Sequence, residues 1–220
     1  MILVMFDMDG TLIDTQDLIA EHMAATFTAA GLAAPTLAAS RRTIGLSLPV
    51  AMSTLAQSDD AVLIDALVES YKQHYRASLD SGPGREGLYP GVLAALQRLG
   101  GRDDLVMGIA TGKGLKGVHR VLALHDIADR FVTLQTPDHN PSKPHPGMLY
   151  RAAAETGVSA QQIVMIGDTT FDIEMGKAAG AQTIGVTWGY HEPEDLIQAG
   201  ADCLIDSYDD LDAAIRQVTE

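Results

Sequence analysis

The stretch M-I-L-V-M-F-D-M-D-G-T-L-I-D at residues 1–14 decides the fold, because a short apolar run ends there on two carboxylates. Six apolar residues are too few for a helix, and a run without polar alternation is typical of a strand buried on both faces. Asp7 and Asp9 follow that strand, with Gly10 and Thr11 after them. Ligands of open α/β sheets bind beyond the carboxyl ends of the strands, so this stretch predicts a functional site there.

Further strand-like runs recur from residue 85 onward and alternate with segments of helical periodicity. They begin at Leu105, Phe131, Ile163, Thr183 and Cys203. Alternation of this kind predicts an α/β fold, in which a Rossmann-like parallel sheet is covered by helices on both faces.

Residues 15–84 contain no strand-like run and carry two apolar stripes at helical spacing. The stripes are Leu18, Ile19, Met23 and Phe27, and then Leu63, Leu67, Tyr71 and Tyr75. Such stripes predict amphipathic helices. We therefore expect an α/β core from residues 1–14 and 85–220, and an inserted all-helical cap domain from residues 15–84. Linkers are expected near Ile13 to Asp17 and near Ser81 to Glu86, where S-G-P-G interrupts the helical pattern.

Polar residues follow three of the predicted strands at the point where each strand ends. Asp7 follows the first run, Thr111 and Gly112 follow the second, and Asp168 follows the fourth. Parallel strands bring their carboxyl ends to one edge of a sheet, so these residues should lie together. Each alone is explained equally well as a turn residue, since Asp, Thr and Gly favour loops. All three at one edge favour a shared site.

The composition narrows the classes of partner. A formal net charge of -14 argues against non-specific binding to nucleic acid or anionic membranes, which needs clustered Lys and Arg. An anionic substrate stays compatible, because a divalent cation reverses the local field. The single cysteine, Cys203, cannot form an intrachain disulfide, and no apolar stretch approaches the roughly 20 residues of a membrane helix. We expect a cytoplasmic protein, monomeric or weakly dimeric.

Four motifs, in order, resemble those of the haloacid dehalogenase superfamily in its phosphatase branch, and they cover nearly the whole chain. They are D-M-D-G-T at residues 7–11, I-A-T-G-K with Thr111, S-K-P-H-P with Lys143, and G-D-T-T-F-D with Asp168 and Asp172. The helical block lies where this family places its cap, and G-V-T-W-G-Y at residues 185–190 is similar to the phosphoglycolate phosphatase-like group. Dehalogenases and transport ATPases lack the second aspartate, so the chain departs from both.

The resemblance implies a hydrolase that acts on a small phosphorylated metabolite, with Asp7 as the nucleophile that forms an aspartyl-phosphate. It implies Mg²⁺ as cofactor, bound by Asp7, by the backbone carbonyl of Asp9 and by the carboxylate of Asp168. Asp9 would protonate the leaving oxygen and then take a proton from the water that hydrolyses the intermediate.

Other motif residues are implied to support the transferred group. Lys143 would neutralise the phosphoryl oxygens, and Thr111 would hydrogen-bond them together with backbone amides near Gly112. Thr11 completes the first motif beside the nucleophile. Asp172 would orient Lys143 or a metal-bound water rather than bind the metal directly.

Substrate contacts are expected from the cap, whose closure would exclude water from the site. Arg41, Arg42 and Ser47 are the candidates, because R-R-T-I-G-L-S-L resembles the substrate-facing loop of related caps. A solvated basic helix end explains the two arginines equally well. Two alternatives to a phosphatase stay open: a beta-phosphoglucomutase-like phosphoryl transferase, and a non-catalytic binding protein on the same fold.

Overall fold

The structure is a computed structural model that describes residues 1–80 and 85–220, so the predicted S-G-P-G break lies outside the described residues. Its strands are β1 (Ile2–Phe6), β2 (Ile13–Asp14), β3 (Gly87–Leu88), β4 (Leu105–Ala110), β5 (Phe131–Gln135), β6 (Ile163–Gly167), β7 (Gln182–Val186) and β8 (Cys203–Ile205). Six of them form one sheet in the order β5-β4-β1-β6-β7-β8. Every neighbouring pair in it is parallel, which confirms the predicted α/β fold.

The helices begin with four that lie between β2 and β3, which we call the cap helices: α1 (Gln16–Ala29), α2 (Leu37–Arg41), α3 (Leu48–Ala56) and α4 (Ala61–Asp80). The others flank the sheet: α5 (Val92–Gly100), α6 (Leu115–Leu124), α7 (Gly147–Thr156), α8 (Thr170–Ala179), α9 (Pro193–Gln198) and α10 (Leu211–Thr219). Within the described ranges, none of these helices has the length and apolar character needed to cross a bilayer.

Strand β1 lies at the centre of the sheet and is buried on both faces. Val4 and Phe6 pack into the core layer that includes residues of α5, α6 and α10, whereas Leu3 and Met5 pack into the opposite layer with α7 and α8. This two-sided burial is the reason that the run is apolar throughout. In the sheet, β1 has β4 as its neighbour on one side and β6 on the other. The chain continues through β4 and β5 on the first side and then crosses to β6 on the second side. Ligand crevices form where the strand order reverses in this way.

The cap helices join the core through a short antiparallel ribbon that the sequence did not predict. β2 pairs with β3 through Ile13 opposite Leu88 and Asp14 opposite Gly87. The two points at which the chain passes between the sheet-bearing core and the cap helices therefore lie side by side. The cap helices share a hydrophobic cluster that includes Met23, Phe27, Met52 and Leu67. Tyr190, which follows β7 in the core, packs into the same cluster and ties the two parts together.

Candidate active site

Asp7 lies at the carboxyl end of β1, where its backbone N–H donates to Ile166 O at 2.9 Å and continues the sheet ladder. Its carboxylate is fully buried. Oδ1 accepts from the Met8 N–H at 2.7 Å and lies 3.0 Å from Lys143 Nζ. Oδ2 is buried with no hydrogen-bond partner among the described residues. A buried carboxylate oxygen left unpaired is costly, so this atom is placed to bind a cation or to contact a reactant.

Three buried carboxylates surround this point. Asp7, Asp168 and Asp172 each present an oxygen within 4.8 Å of the others. Burial raises the pKa of Asp7 to about 7; the nearby ammonium of Lys143 opposes the rise, while Asp172 and Asp9 add to it. Burial, followed by the charges of Asp7 and Asp172, also raises the pKa of Asp168 well above its ordinary value. A divalent cation would offset this excess of negative charge, so the residues fit a metal with oxygen ligands.

Lys143 is the cation that the structure itself supplies to this cluster. Its ammonium is buried and donates to Asp172 Oδ1 at 2.6 Å. Burial alone lowers the pKa of Lys143, but the charges of Asp172 and Asp7 raise it above its ordinary value, so the ammonium stays protonated. Asp172 Oδ2 accepts from the N–H and hydroxyl of Thr169 at 3.1 and 2.7 Å. With both oxygens bonded, Asp172 is arranged to hold Lys143 beside Asp7.

The turn after β1 depends on Gly10. Its φ of +89° is in the left-handed region, and a Cβ at this position would lie 2.1 Å from Asp168 Oδ2. Only glycine allows the chain to pass so close to that carboxylate. Thr11 then donates its hydroxyl to Asp168 Oδ1 at 2.8 Å, and its carbonyl accepts from Tyr208 OH at 2.9 Å. The D-G-T turn is therefore bonded to both the acid cluster and the core.

Asp9 points away from the three-acid cluster and toward the cap helices. Its Oδ1 accepts from Thr15 Oγ1 at 2.7 Å and from Lys113 Nζ at 3.0 Å. Thr15, just before α1, is itself held by Tyr190 OH, which accepts from its N–H at 3.0 Å and lies 3.1 Å from its hydroxyl. The second aspartate is thus oriented by the junction between core and cap.

Thr111 and Gly112 follow β4 and lie at the same edge of the sheet. Thr111 is buried, donates its N–H to Gln135 O at 3.1 Å and accepts from the Lys113 N–H at 3.2 Å. A Cβ at Gly112 would lie 2.5 Å from Gly45 O, in the segment between α2 and α3. The absent side chain therefore lets the cap backbone contact the core next to the acids.

A cavity of about 610 Å³ lies between this edge and the cap helices. Asp7, Asp9, Thr111 and Gly112 line it from the core, and Ile44, Leu46, Val68 and Tyr71 are among the residues that line it from the cap. Residues that are far apart in the sequence thus converge on one cavity, as the strand ends predict. The nucleophile candidate faces both the cavity and the buried acids.

Residues 4–186 match the haloacid dehalogenase-like hydrolase family. The chain belongs to this family. The predicted membership is confirmed.

Curated relatives of this hydrolase carry phosphatase names. It is 32% identical over 214 residues to "Probable phosphatase IndB" of Dickeya dadantii, covering 95% of this chain and 91% of the relative. It is 31% identical over 217 residues to a phosphoglycolate phosphatase of Yersinia pseudotuberculosis, covering 96% and 92%. The crystal structure of a predicted phosphatase from Clostridium acetobutylicum superposes with a TM-score of 0.87 at 22% identity, covering 98% of each chain. The enzyme is thus a phosphatase-like hydrolase.

Among the described residues, Arg41, Arg42 and Ser47 are not part of the cavity lining. Arg42 is exposed, whereas Ser47 is buried and donates its N–H to Ser142 Oγ at 2.8 Å, beside Lys143. The role of these three residues in binding substrate stays a prediction.

Four residues of the site were missed by the sequence analysis. Glu86, 3% exposed, accepts from Tyr75 OH at 2.6 Å and pairs with Arg120, which also bonds to Tyr75. Lys113 lies 3.9 Å from the same carboxylate. These contacts join α4 to α6 at the edge of the cavity. Only Lys113 carried a sequence signal, because it stands two positions after Thr111 within the second motif.

Proposed function

We propose that this hydrolase is a Mg²⁺-dependent phosphatase that releases phosphate from a small soluble phosphate monoester, phosphoglycolate-like, through an aspartyl-phosphate. The observation that carries the proposal is the buried Oδ2 of Asp7, which has no hydrogen-bond partner in the described part of the chain. Asp7 lies in an acidic cluster and lines the cavity. The phosphoglycolate phosphatase among the relatives supports the substrate class. On this proposal, residues 15–84 act as a cap domain over the core of residues 1–14 and 85–220, in a cytoplasmic enzyme.

In the first step, Asp7 Oδ2 attacks phosphorus, an O–P bond forms, and the bond from phosphorus to the ester oxygen breaks. Lys143, 3.0 Å from Asp7 Oδ1, neutralises the phosphoryl oxygens, and Thr111 donates its hydroxyl to them. Bound Mg²⁺ would supply the remaining positive charge that lets a carboxylate approach a dianion. Asp7, Asp168 and the carbonyl of Asp9 would hold it, with Asp172 orienting Lys143.

Asp9 acts as the general acid in the first half of the reaction and as the general base in the second. It donates a proton to the leaving ester oxygen, which departs as an alcohol. In the second half it accepts a proton from water, whose oxygen attacks the phosphorus of the aspartyl-phosphate and releases inorganic phosphate. The Asp7 carboxylate is then restored. The hydrogen bonds from Thr15 and Lys113 set the direction of the Asp9 carboxylate during these transfers.

The test is a phosphatase screen of the purified protein with Mg²⁺ on a panel of metabolite phosphates that includes phosphoglycolate. We expect stoichiometric inorganic phosphate from a single substrate, and a phosphorylated Asp7 peptide by mass spectrometry after rapid quenching. A phosphoryl transferase of the mutase kind would instead need a sugar bisphosphate and would release no net phosphate. Absence of turnover on the whole panel would support a binding protein and contradict the proposal.

A further inference from the structure

The cavity is basic although the chain is strongly acidic. Among the described residues, five of the chain's 15 Lys and Arg residues line it, against three acidic residues. The basic residues are Lys72, Arg76, Lys113, Lys116 and Arg120, and the acidic residues are Asp7, Asp9 and Asp138. The formal net charge of the whole chain is -14, so the excess of basic residues around the cavity is opposite in sign to the rest of the protein. Such a local excess of positive charge favours the binding of an anion.

Lys113 lies where a leaving group would emerge from the reacting phosphorus. Its side chain is 11% exposed, and its ammonium lies 3.0 Å from Asp9 Oδ1 and 3.9 Å from Glu86 Oε1. It also lies 5.6 Å from the centroid of the Tyr75 ring. On the proposed function, Asp9 contacts the ester oxygen, so the ammonium beside it faces the departing alcohol and not the phosphoryl group.

Two further cations face the same space from opposite sides. Arg76 on cap helix α4 and Lys116 on core helix α6 line the cavity and are exposed. Neither has an ion-pair partner within residues 1–80 and 85–220, whereas Arg120 is paired with Glu86. A neutral leaving group in the cavity would remove water from these charges without replacing its hydrogen bonds, whereas an anionic one would compensate them.

We propose that Lys113, with Arg76 and Lys116, forms a subsite for a second anionic group, a carboxylate or a phosphate, on the alcohol part of the substrate. The inference rests on the proposed function and narrows its substrate class to phosphate monoesters with a charged leaving group. Lys113 is then the residue that sets specificity from the core. Arg76 and Lys116 add a weaker, solvent-screened attraction.

The test is a series of three substrates on one carbon skeleton, assayed with Mg²⁺ and the full chain. Phosphoglycolate carries a carboxylate, ethylene glycol bisphosphate carries a second phosphate, and ethylene glycol monophosphate carries a neutral hydroxyl. The readout is the ratio of kcat/KM for each anionic member to that for the neutral one. We expect wild-type ratios of at least about tenfold, and the larger ratio identifies which anion fits better.

The variants separate recognition from structure. Lys113→Gln is expected to lower the ratio on the order of tenfold to a hundredfold, since a buried charge-assisted hydrogen bond is lost. Arg76→Gln and Lys116→Gln, at exposed positions that the fold does not need, should lower it about two- to fivefold. Arg216→Gln removes an exposed charge on α10 and should leave the ratio unchanged. Merely structural damage would slow all three substrates equally and keep the ratio.

The outcomes distinguish failure of this inference from failure of the proposed phosphatase function on which it rests. A wild-type ratio near one, or a ratio that Lys113→Gln leaves unchanged, would overturn the subsite. Phosphate release in the same assays would still support the proposed phosphatase function. No release from the three substrates or from an aryl phosphate would overturn the proposed phosphatase, and the subsite with it.

Discussion

The two walls of the cavity differ in how their residues are held. On the core wall, Asp7 lines the cavity from the end of β1. It is held by the buried ammonium of Lys143, which lies 3.0 Å from Asp7 Oδ1 and 2.6 Å from Asp172 Oδ1 on α8. The cap wall is mainly apolar and held by packing, and it meets the core at a few polar contacts such as Tyr190 to Thr15 and Ser47 to Ser142. The core wall is thus fixed by charged contacts, whereas the cap wall is fixed mainly by apolar packing.

The largest expected effect is on the core wall. Asp7→Asn removes the nucleophile while it keeps the size of the side chain, so kcat should fall by about 10⁴-fold or more and no phosphorylated residue should form. Initial rates of phosphate release and quenched-flow mass spectrometry measure this. Asp103→Asn, an exposed acid just before β4, is the matched control and should retain full activity. Near-normal turnover in Asp7→Asn would reject the assigned nucleophile.

The next effect concerns metal binding to the three acids. Mg²⁺ that binds only the folded state should stabilise the wild type by about 2.7 kcal/mol at one hundred times its Kd. Asp168→Asn removes a charged oxygen from the cluster and should abolish most of this gain. Thermal unfolding with EDTA and with increasing Mg²⁺ measures the difference, and Asp103→Asn again serves as the control. An equal Mg²⁺-dependent rise in Tm for Asp168→Asn would contradict metal binding at this cluster.

The same contrast explains what could be predicted from sequence. Asp7, Thr111 and Asp168 were predictable, because each follows an apolar run and parallel strands align their ends. Lys143 and Asp172 were found only through the motifs of the resemblance. The contacts that orient Asp9 were not predictable, because Lys113 reaches Asp9 across 104 positions and Tyr190 reaches Thr15 across 175 positions. β2 and β3 have two residues each, and α2 has five, too few for periodicity to register. Side-chain partners across a domain junction need coordinates.

A smaller effect tests the coupling between the two walls. Tyr190→Phe removes the hydroxyl that bonds to Thr15, and Thr15 in turn orients Asp9. Loss of one buried hydrogen bond should lower kcat about two- to tenfold with little change in KM. Tyr150→Phe is the matched control, because it also deletes a tyrosine hydrogen bond, but at an exposed position that bonds to Ala178 O. If both variants keep wild-type kcat, Tyr190 serves packing alone and the proposed coupling is wrong.

The smallest effect distinguishes the walls by the sign of their pH dependence. His22 on α1 is buried against Tyr71 and Tyr75 and lies 3.0 Å from Ser78 Oγ. Burial lowers the pKa of His22 below 6.5, so the unfolded chain binds the proton more readily. The contribution of the neutral His22 ring to the free energy of unfolding is therefore fully present above pH 6.5. It is lost as the pH falls through the lowered pKa of His22.

His22→Gln should abolish this loss of stability at acid pH. In thermal unfolding between pH 5 and 8, the slope of Tm against pH should therefore be less positive for the variant than for the wild type. The buried acids Asp7 and Asp168, whose pKa values are raised, change metal-free stability in the opposite direction, because they bind protons more readily in the folded state. Only the difference in slope between variant and wild type therefore reports on the cap. His119→Gln, an exposed histidine on α6, should keep the wild-type slope. An unchanged slope in His22→Gln would contradict the assigned contribution of the His22 ring to acid destabilisation.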